Sequence, residues 1–110
     1  MIEEILIKYL NDNLDVEAYC ERPKNLPDTY ILLENSGTSE ENCIKSSMMI
    51  IQSIAPTLLE AMKLNEKVVD LMKDAHELPE LFSSHLNSYY NYTDTSTKEY
   101  RYQCVFDITY

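Results

Sequence analysis

The segment Tyr100-Arg101-Tyr102-Gln103-Cys104-Val105-Phe106-Asp107-Ile108-Thr109-Tyr110 sets the architecture of this chain. Its apolar and aromatic residues Tyr100, Tyr102, Cys104, Phe106, Ile108 and Tyr110 alternate strictly with Arg101, Gln103, Val105, Asp107 and Thr109. Successive side chains of a strand face opposite ways, so the pattern predicts a long half-buried strand with the even-numbered set inward. Phe106 is expected against the core, and Gln103, on the other face, is expected to tolerate truncation at well under ~1 kcal/mol. Just upstream, Leu86, Tyr90 and Tyr92 alternate with Asn87, Tyr89 and Asn91, and Asp94-Thr95-Ser96-Thr97 joins the two runs through polar turn formers. The pair reads as a β-hairpin. Tyr89 is out of phase with Tyr90 and Tyr92, so it is expected to point away from their face, towards solvent or a partner.

Moving towards the N-terminus, Thr57 and Glu60 have capping-box spacing behind Pro56, and Leu58, Ala61, Met62, Val68, Val69 and Met72 are read as one helix face. Pro79 sets the latest end of this helix. Lys63, Glu66, Lys67, Asp70 and Lys73 form its solvated side. Cys43 to Ala55 carries isoleucines at 44, 50, 51 and 54 and reads as a long strand. Tyr30 to Leu33 is a compact strand, and Gly37 is expected to close a turn within a polar loop from Asn35 to Asn42 that carries Glu40 and Glu41. Val16 to Cys20 is a short strand, followed by a bend at Pro23 and Pro27. Ile2, Ile5, Leu6, Tyr9 and Leu10 mark a first helix ending near Asn13, with Glu3 and Glu4 at its positive end. The order is therefore α-β-β-β-α-β-β. It implies one α+β domain over residues 1–110, with two helices packed on one face of a mainly antiparallel sheet of about five strands.

With 19 acids against 9 bases the net charge is −10. Such a field repels phosphate backbones, so neither specific nucleic-acid binding nor a cationic membrane contact is expected. No apolar run reaches a membrane span, and Met1-Ile2-Glu3-Glu4 puts acids where a secretory leader needs cations, so the expected setting is cytosol. Cys20, Cys43 and Cys104 are read as strand cysteines in a reducing compartment, too scattered for a disulfide framework or a metal knuckle.

Catalytic signals are sparse. His76 and His85 have no partner at metal-ligand spacing, and the single glycine cannot build a phosphate-binding loop. No catalytic residue, metal ligand or cofactor site is assigned. Nine tyrosines against two phenylalanines and no tryptophan is a composition suited to surfaces buried on association, though cross-strand packing of Tyr90, Tyr92, Tyr100 and Tyr102 accounts for it equally.

The ordered whole resembles a known family. The acidic first helix, Pro23 and Pro27, Tyr30-Ile31-Leu32-Leu33-Glu34, the Gly37 turn, Gln52-Ser53-Ile54-Ala55, and Asn65-Glu66-Lys67-Val68 in the second helix resemble the tail-completion proteins of long-tailed bacteriophages. Tyr90-Asn91-Tyr92-Thr93-Asp94, then Lys98-Glu99-Tyr100-Arg101-Tyr102-Gln103, is similar to the C-terminal hairpin of the tail terminator, or head-to-tail joining, branch in phages and prophages of low-GC Gram-positive bacteria. The resemblance implies a non-enzymatic virion protein with no cofactor. It implies a ring, usually a hexamer, at the head-proximal end of the tail tube, assembled in host cytoplasm. The partners implied are the chain itself, the tube protein and the head connector, with DNA passing through the ring. Glu40 and Glu41, Tyr89, and Asp94 with Thr95 are the residues assigned to these contacts, on loops and tips that project from a sheet. The alternative is a small acidic binding module that imitates nucleic acid or inhibits a host enzyme, which clustering of acids on one face would favour. A small-ligand enzyme would need a deep pocket holding His76 or His85 beside a carboxylate.

Overall fold

A computed structural model describes residues 1–25, 27–96 and 99–110; Leu26, Thr97 and Lys98 lie outside the described residues, so the Thr97 end of the predicted turn is not described. The elements are α1 (Ile2–Asn13), β1 (Ala18–Tyr19), β2 (Tyr30–Glu41), β3 (Ile44–Ala55), α2 (Leu58–Lys73), β4 (Ser83–Asn91) and β5 (Tyr100–Thr109), with a 3-10 turn at Ala75–Glu77. This is the α+β order read from the sequence, and every strand pair is antiparallel except the short β1–β2 pair.

The sheet order β1-β2-β3-β5-β4 puts the C-terminal strand between β3 and β4. Register pairs Met49 with Phe106, Ile51 with Cys104, and Leu33 with Ile51. These residues therefore share one face, and the helices cover it. From α1, Leu6 and Leu10 reach this layer, and from α2, Val68 and Met72 do so. Phe106 is fully buried there, as the alternation predicts.

Local chemistry sets the helix ends. The Thr57 hydroxyl accepts the backbone N–H of Glu60 at 3.2 Å, satisfying one of the donors that a helix start leaves free. The Tyr9 hydroxyl donates to the Leu71 carbonyl at 2.7 Å, and Ser84 donates to the Met72 carbonyl at 2.6 Å. The last turn of α2 is thus held to both α1 and β4. Burial, reinforced by Asp74 and Glu77, raises the Tyr9 pKa, so the hydroxyl stays a donor.

Four details differ from the sequence reading, each for a physical reason. Gly37 does not close a turn. Strand β2 runs on to Glu41, and Ser36 and Gly37 form a bulge, two residues opposite Met48, where the register shifts between Asn35 and Thr38. The bulge is held by Ser36 Oγ donating to the Met48 carbonyl at 3.1 Å and Gly37 N–H donating to Asn35 Oδ1 at 3.0 Å. The reversal falls instead at Asn42 and Cys43, with φ of 52° and 65°, the left-handed pair that a two-residue hairpin turn requires. Cys43 is therefore an exposed turn residue, and Cys20 is exposed just beyond β1; of the three cysteines only Cys104 is buried, and burial pushes its thiol up to about 12. On α2 the inward stripe is Ala61, Leu64, Asn65, Val68, Val69 and Met72, with Met62 exposed, because a helix turns Met62 about 100° away from Ala61. Finally, a second bulge between Leu86 and Ser88 reverses the facing of β4, so Leu86 and Tyr90 lie on opposite faces.

Gln103 is also more constrained than its position suggests. It is 5% exposed, donates to the Tyr90 hydroxyl at 2.6 Å and accepts from Gln52 Nε2 at 2.9 Å. Truncating it to alanine is expected to cost about 1–2 kcal/mol, while Phe106→Ala costs about 3–5 kcal/mol, measured by chemical denaturation. Cys43→Gly is expected to act the other way. A non-glycine residue in the left-handed region costs roughly 1–2 kcal/mol, part of which glycine's freedom in the unfolded chain offsets. Thermal melting should show a net gain of up to about 1 kcal/mol.

Candidate functional site

Helices cover only one face of the sheet, so the other face and the two outer edges are what the molecule presents. Beyond Ala18↔Ile31 and Tyr19↔Leu32, strand β2 has no neighbour on its outer side among the described residues, which leaves Leu33–Glu41 as an open edge. Strand β4 is the opposite edge along its whole length. The two differ in charge: β2 carries Glu34, Glu40 and Glu41, whereas β4 has no acid, no lysine or arginine, and no proline. Edge strands are ordinarily guarded by such residues or by bulges; β4 has no guarding side chain of these kinds and carries only the bulge between Leu86 and Ser88, and a weakly guarded edge is a template for another strand.

The face without helices carries Leu32, Ile50, Met48 and Tyr90, with Tyr92 beyond β4, while Tyr30, Ile54, Gln103 and Val105 on the same face are buried. Its charges are few, Glu34 and Asp107 against Arg101 among the paired residues of its centre. A shallow groove of about 510 Å³ crosses it between Gly37–Ser39, Ser46–Met48 and Asp107–Thr109. The tyrosines divide between the faces: Tyr90 and Tyr92 pack edge to face at 6.2 Å on the open side, while Tyr89 meets Tyr102 at 6.4 Å on the helix side.

The residues assigned from sequence fall into three separate places. Glu40 and Glu41 flank the β2–β3 turn, exposed, opposite Lys45 and Ile44. Asp94 and Thr95 stand at the other end of the sheet, past the Asn91↔Tyr102 pair. Tyr89, 54% exposed, lies between them at the β4 edge and opposite in facing to Tyr90, as its phase predicts, but on the side of α2. The structure does not bring the three together.

Asp94 also has a structural task. Its Oδ1 accepts from Ser96 N–H at 3.0 Å and Ser96 Oγ at 2.6 Å, and Arg101 approaches its other oxygen at 3.8 Å. Next to it, Glu99 takes both guanidinium nitrogens of Arg22, at 2.8 and 2.9 Å, and the Tyr30 hydroxyl at 3.3 Å. Arg101 stacks over Tyr92 at 5.3 Å. The cluster ties the β1–β2 connection to the β4–β5 hairpin, and only the long-range position of Arg22 hid it from the sequence. Hydrogen bonding from Arg22 holds the Glu99 carboxyl below its usual value of 4.5, and partial burial opposes this.

His76 sits exposed with Nδ1 2.9 Å from the Lys73 carbonyl, and His85 is exposed on β4 opposite Asp107. Among the described residues no three His, Cys, Asp or Glu side chains are grouped to hold a metal ion. Compared with known protein families and with curated proteins, the chain matches none.

A carboxylate whose folded pKa is lowered adds stability above its unfolded pKa and loses it as pH falls through the folded one. Glu99→Gln is therefore expected to lower stability by about 1 kcal/mol near neutral pH, a modest figure because Arg22 is half exposed. In urea titrations the gap between wild type and variant should narrow below pH 4.5 and close on further acidification.

Proposed function

We propose that this chain is a structural subunit of a bacteriophage tail, which caps the tail tube as a ring and presents the surface for head-to-tail joining. The observation that carries the reading is a single sheet with two long open edges of unlike charge. A contact between different surfaces of successive subunits generates a ring when the rotation closes. Pairing two β2 edges would set Glu34, Glu40 and Glu41 against their own copies, whereas the acid-free β4 edge accepts a β2 edge without like-charge contact. Each subunit then uses β4 towards one neighbour and β2 towards the other, and the main-chain hydrogen bonds supply affinity with little demand on side chains. In this reading the β2–β3 tip with Glu40 and Glu41 is free to meet the tube protein or the head connector, and the acids favour a ring that does not retain passing DNA.

The acids are spread over α1, α2, β2, β5 and the connections and are missing only from β1, β3 and β4.

The test is the mass of the full chain, alone and with the tube protein of the same phage, by sedimentation and native mass spectrometry. A closed ring of six is expected. His85→Glu with Ser88→Glu should dissociate it, and His85→Lys with Ser88→Lys should leave it intact, circular dichroism reporting the fold of each. A wild-type chain that stays monomeric in both conditions overturns the ring, and a ring indifferent to the glutamates overturns the edge contact. Glu40→Lys with Glu41→Lys should shift unfolding by no more than about 0.5 kcal/mol while producing overlong or headless tails in a complemented phage; normal virions would remove the tip from tail completion.

A further inference from the structure

On the face without helices, a pocket of about 160 Å³ lies beside the β2 edge, between Cys20–Arg22 and the side chains of Leu32, Glu34, Ile50 and Gln52. Leu32 and Ile50 are half-buried and the Cys20 thiol is exposed, so part of its wall is apolar and within reach from outside. An apolar space of roughly 150 Å³ takes one benzene ring. The opposite edge of the sheet carries a ring that matches. Tyr92, just past β4, is 48% exposed on the same face, with Arg101 stacked on it at 5.3 Å and Tyr90 edge to face at 6.2 Å. Leu32, Gln52, Gln103 and Tyr90 form one row across the sheet, so the ring and the pocket stand at the same end of it.

We infer that Tyr92 of one copy fills this pocket on the next and so fixes the register between them, an inference that rests on the β4-to-β2 contact proposed above. Strands β2 and β5 run one way and β3 and β4 the other. An equally oriented copy therefore brings its β4 antiparallel to β2 and continues the sheet without inversion. The stop is β1, which already occupies the β2 edge at Ile31 and Leu32. Two main chains cannot share that position, so the added β4 ends with Asn91 beside Leu33 and Tyr90 beside Glu34. This register keeps every facing, with Asn91 and Leu33 on the helix side and Tyr90 and Glu34 on the open side. Tyr92 then arrives at the level of Leu32 and, by alternation, on the face that holds the pocket. There its ring packs on Leu32 and Ile50 with the Cys20 sulfur beside it. The Tyr90 hydroxyl accepts from Gln103 and donates to no group among the described residues, and the Glu34 carboxylate of the neighbour is its acceptor. No chain fills its own pocket, because the two edges are four strand spacings apart, roughly 19 Å at about 4.8 Å each.

The experiment oxidises Tyr92→Cys, in a Cys43→Ser background, under mild conditions and reads the products by non-reducing electrophoresis and intact mass. A ladder of covalent oligomers is expected, with peptide mass placing each link between the introduced thiol and Cys20. A disulfide needs Cα atoms within about 7 Å, so the separation within one chain excludes an internal link. Adding Cys20→Ser should abolish the ladder. Tyr89→Cys, comparably exposed on the same edge but on the helix side, should give none. In the unmodified chain, alkylation of Cys20 should slow at least tenfold on assembly. Tyr92→Ala should restore the fast rate and weaken assembly about tenfold, whereas Tyr92→Phe should keep both, circular dichroism reporting the fold of each. A ring whose Cys20 stays reactive and which gives no ladder overturns the role of Tyr92 and leaves the edge contact standing. A ladder formed equally by Tyr89→Cys puts the contact on the other face and also overturns it. A chain that is monomeric at every concentration overturns the edge contact itself, and the filled pocket with it.

Discussion

Two helices cover a five-stranded sheet from one side only, and the character of every other surface is a consequence of that coverage. The apolar layer formed by Leu6 and Leu10 of α1, Leu33, Met49, Ile51 and Phe106 of the sheet, and Val68 and Met72 of α2 is the core of this domain. Burial of that layer is the main favourable term in folding. The other face has no helix over it: its Asp94 end, with Tyr30 and Ile54, is buried beside the Arg22–Glu99 pair, and the rest is partly exposed. Gln52, Gln103 and Tyr90 satisfy one another there by hydrogen bonds, and Leu32, Ile50 and Val105 lie between them. The open face is thus neither a core nor an ordinary charged surface.

The placement of β5 obeys the same constraint. Its neighbours β3 and β4 bury it on both flanks, which is why the alternation in Tyr100–Thr109 is the clearest signal in the chain. A central strand must match two registers and one covered face, so nearly every residue is constrained. Edge strands answer to one neighbour only. It is there that the sequence misleads: the polar, glycine-bearing stretch Asn35–Asn42 reads as a loop because its outer side bonds to nothing, yet its inner side pairs with Ser47 to Ile44 as regular strand. The bulges at Ser36-Gly37 and near Asn87 have no periodic signature, and each reverses the facing of the residues beyond it.

The same logic separates the legible from the hidden parts of the candidate site. The facing of Tyr89 against Tyr90 comes from a local period of two and was readable. That Tyr89 turns to the helix side, beside Asn65, depends on the bulge and on which strand lies at the edge, and both are tertiary facts. Asn65 was invisible for another reason: a polar residue in a helix is assigned outward by hydrophobic pattern, whereas here it occupies the inward stripe between Ala61 and Val68. The Arg22–Glu99 pair spans 77 positions, a separation that no local pattern encodes.

The two ends of the sheet are consequently different in kind. At the Asp94 end, Arg22, Tyr30, Glu99, Arg101 and Tyr92 interlock across three segments, tying the start of β2 and the start of β5 to the β1–β2 connection. Towards the Cys43 end, the side-chain bonding stops at Ser47, which meets Thr38 and the Tyr110 hydroxyl, while the main chain closes with Lys45 exchanging bonds with Tyr110. Past that point the hairpin projects with Glu40, Glu41 and Ile44 exposed and a strained residue at its apex. Strain of that kind is retained where the surroundings over-determine it, and here the ladder from Ser46 to Tyr30 does so. A molecule that anchors one end by ion pairs and leaves the other as an exposed, acidic, two-stranded arm has divided its sheet into an interlocked end and one held by main-chain pairing alone past Ser47.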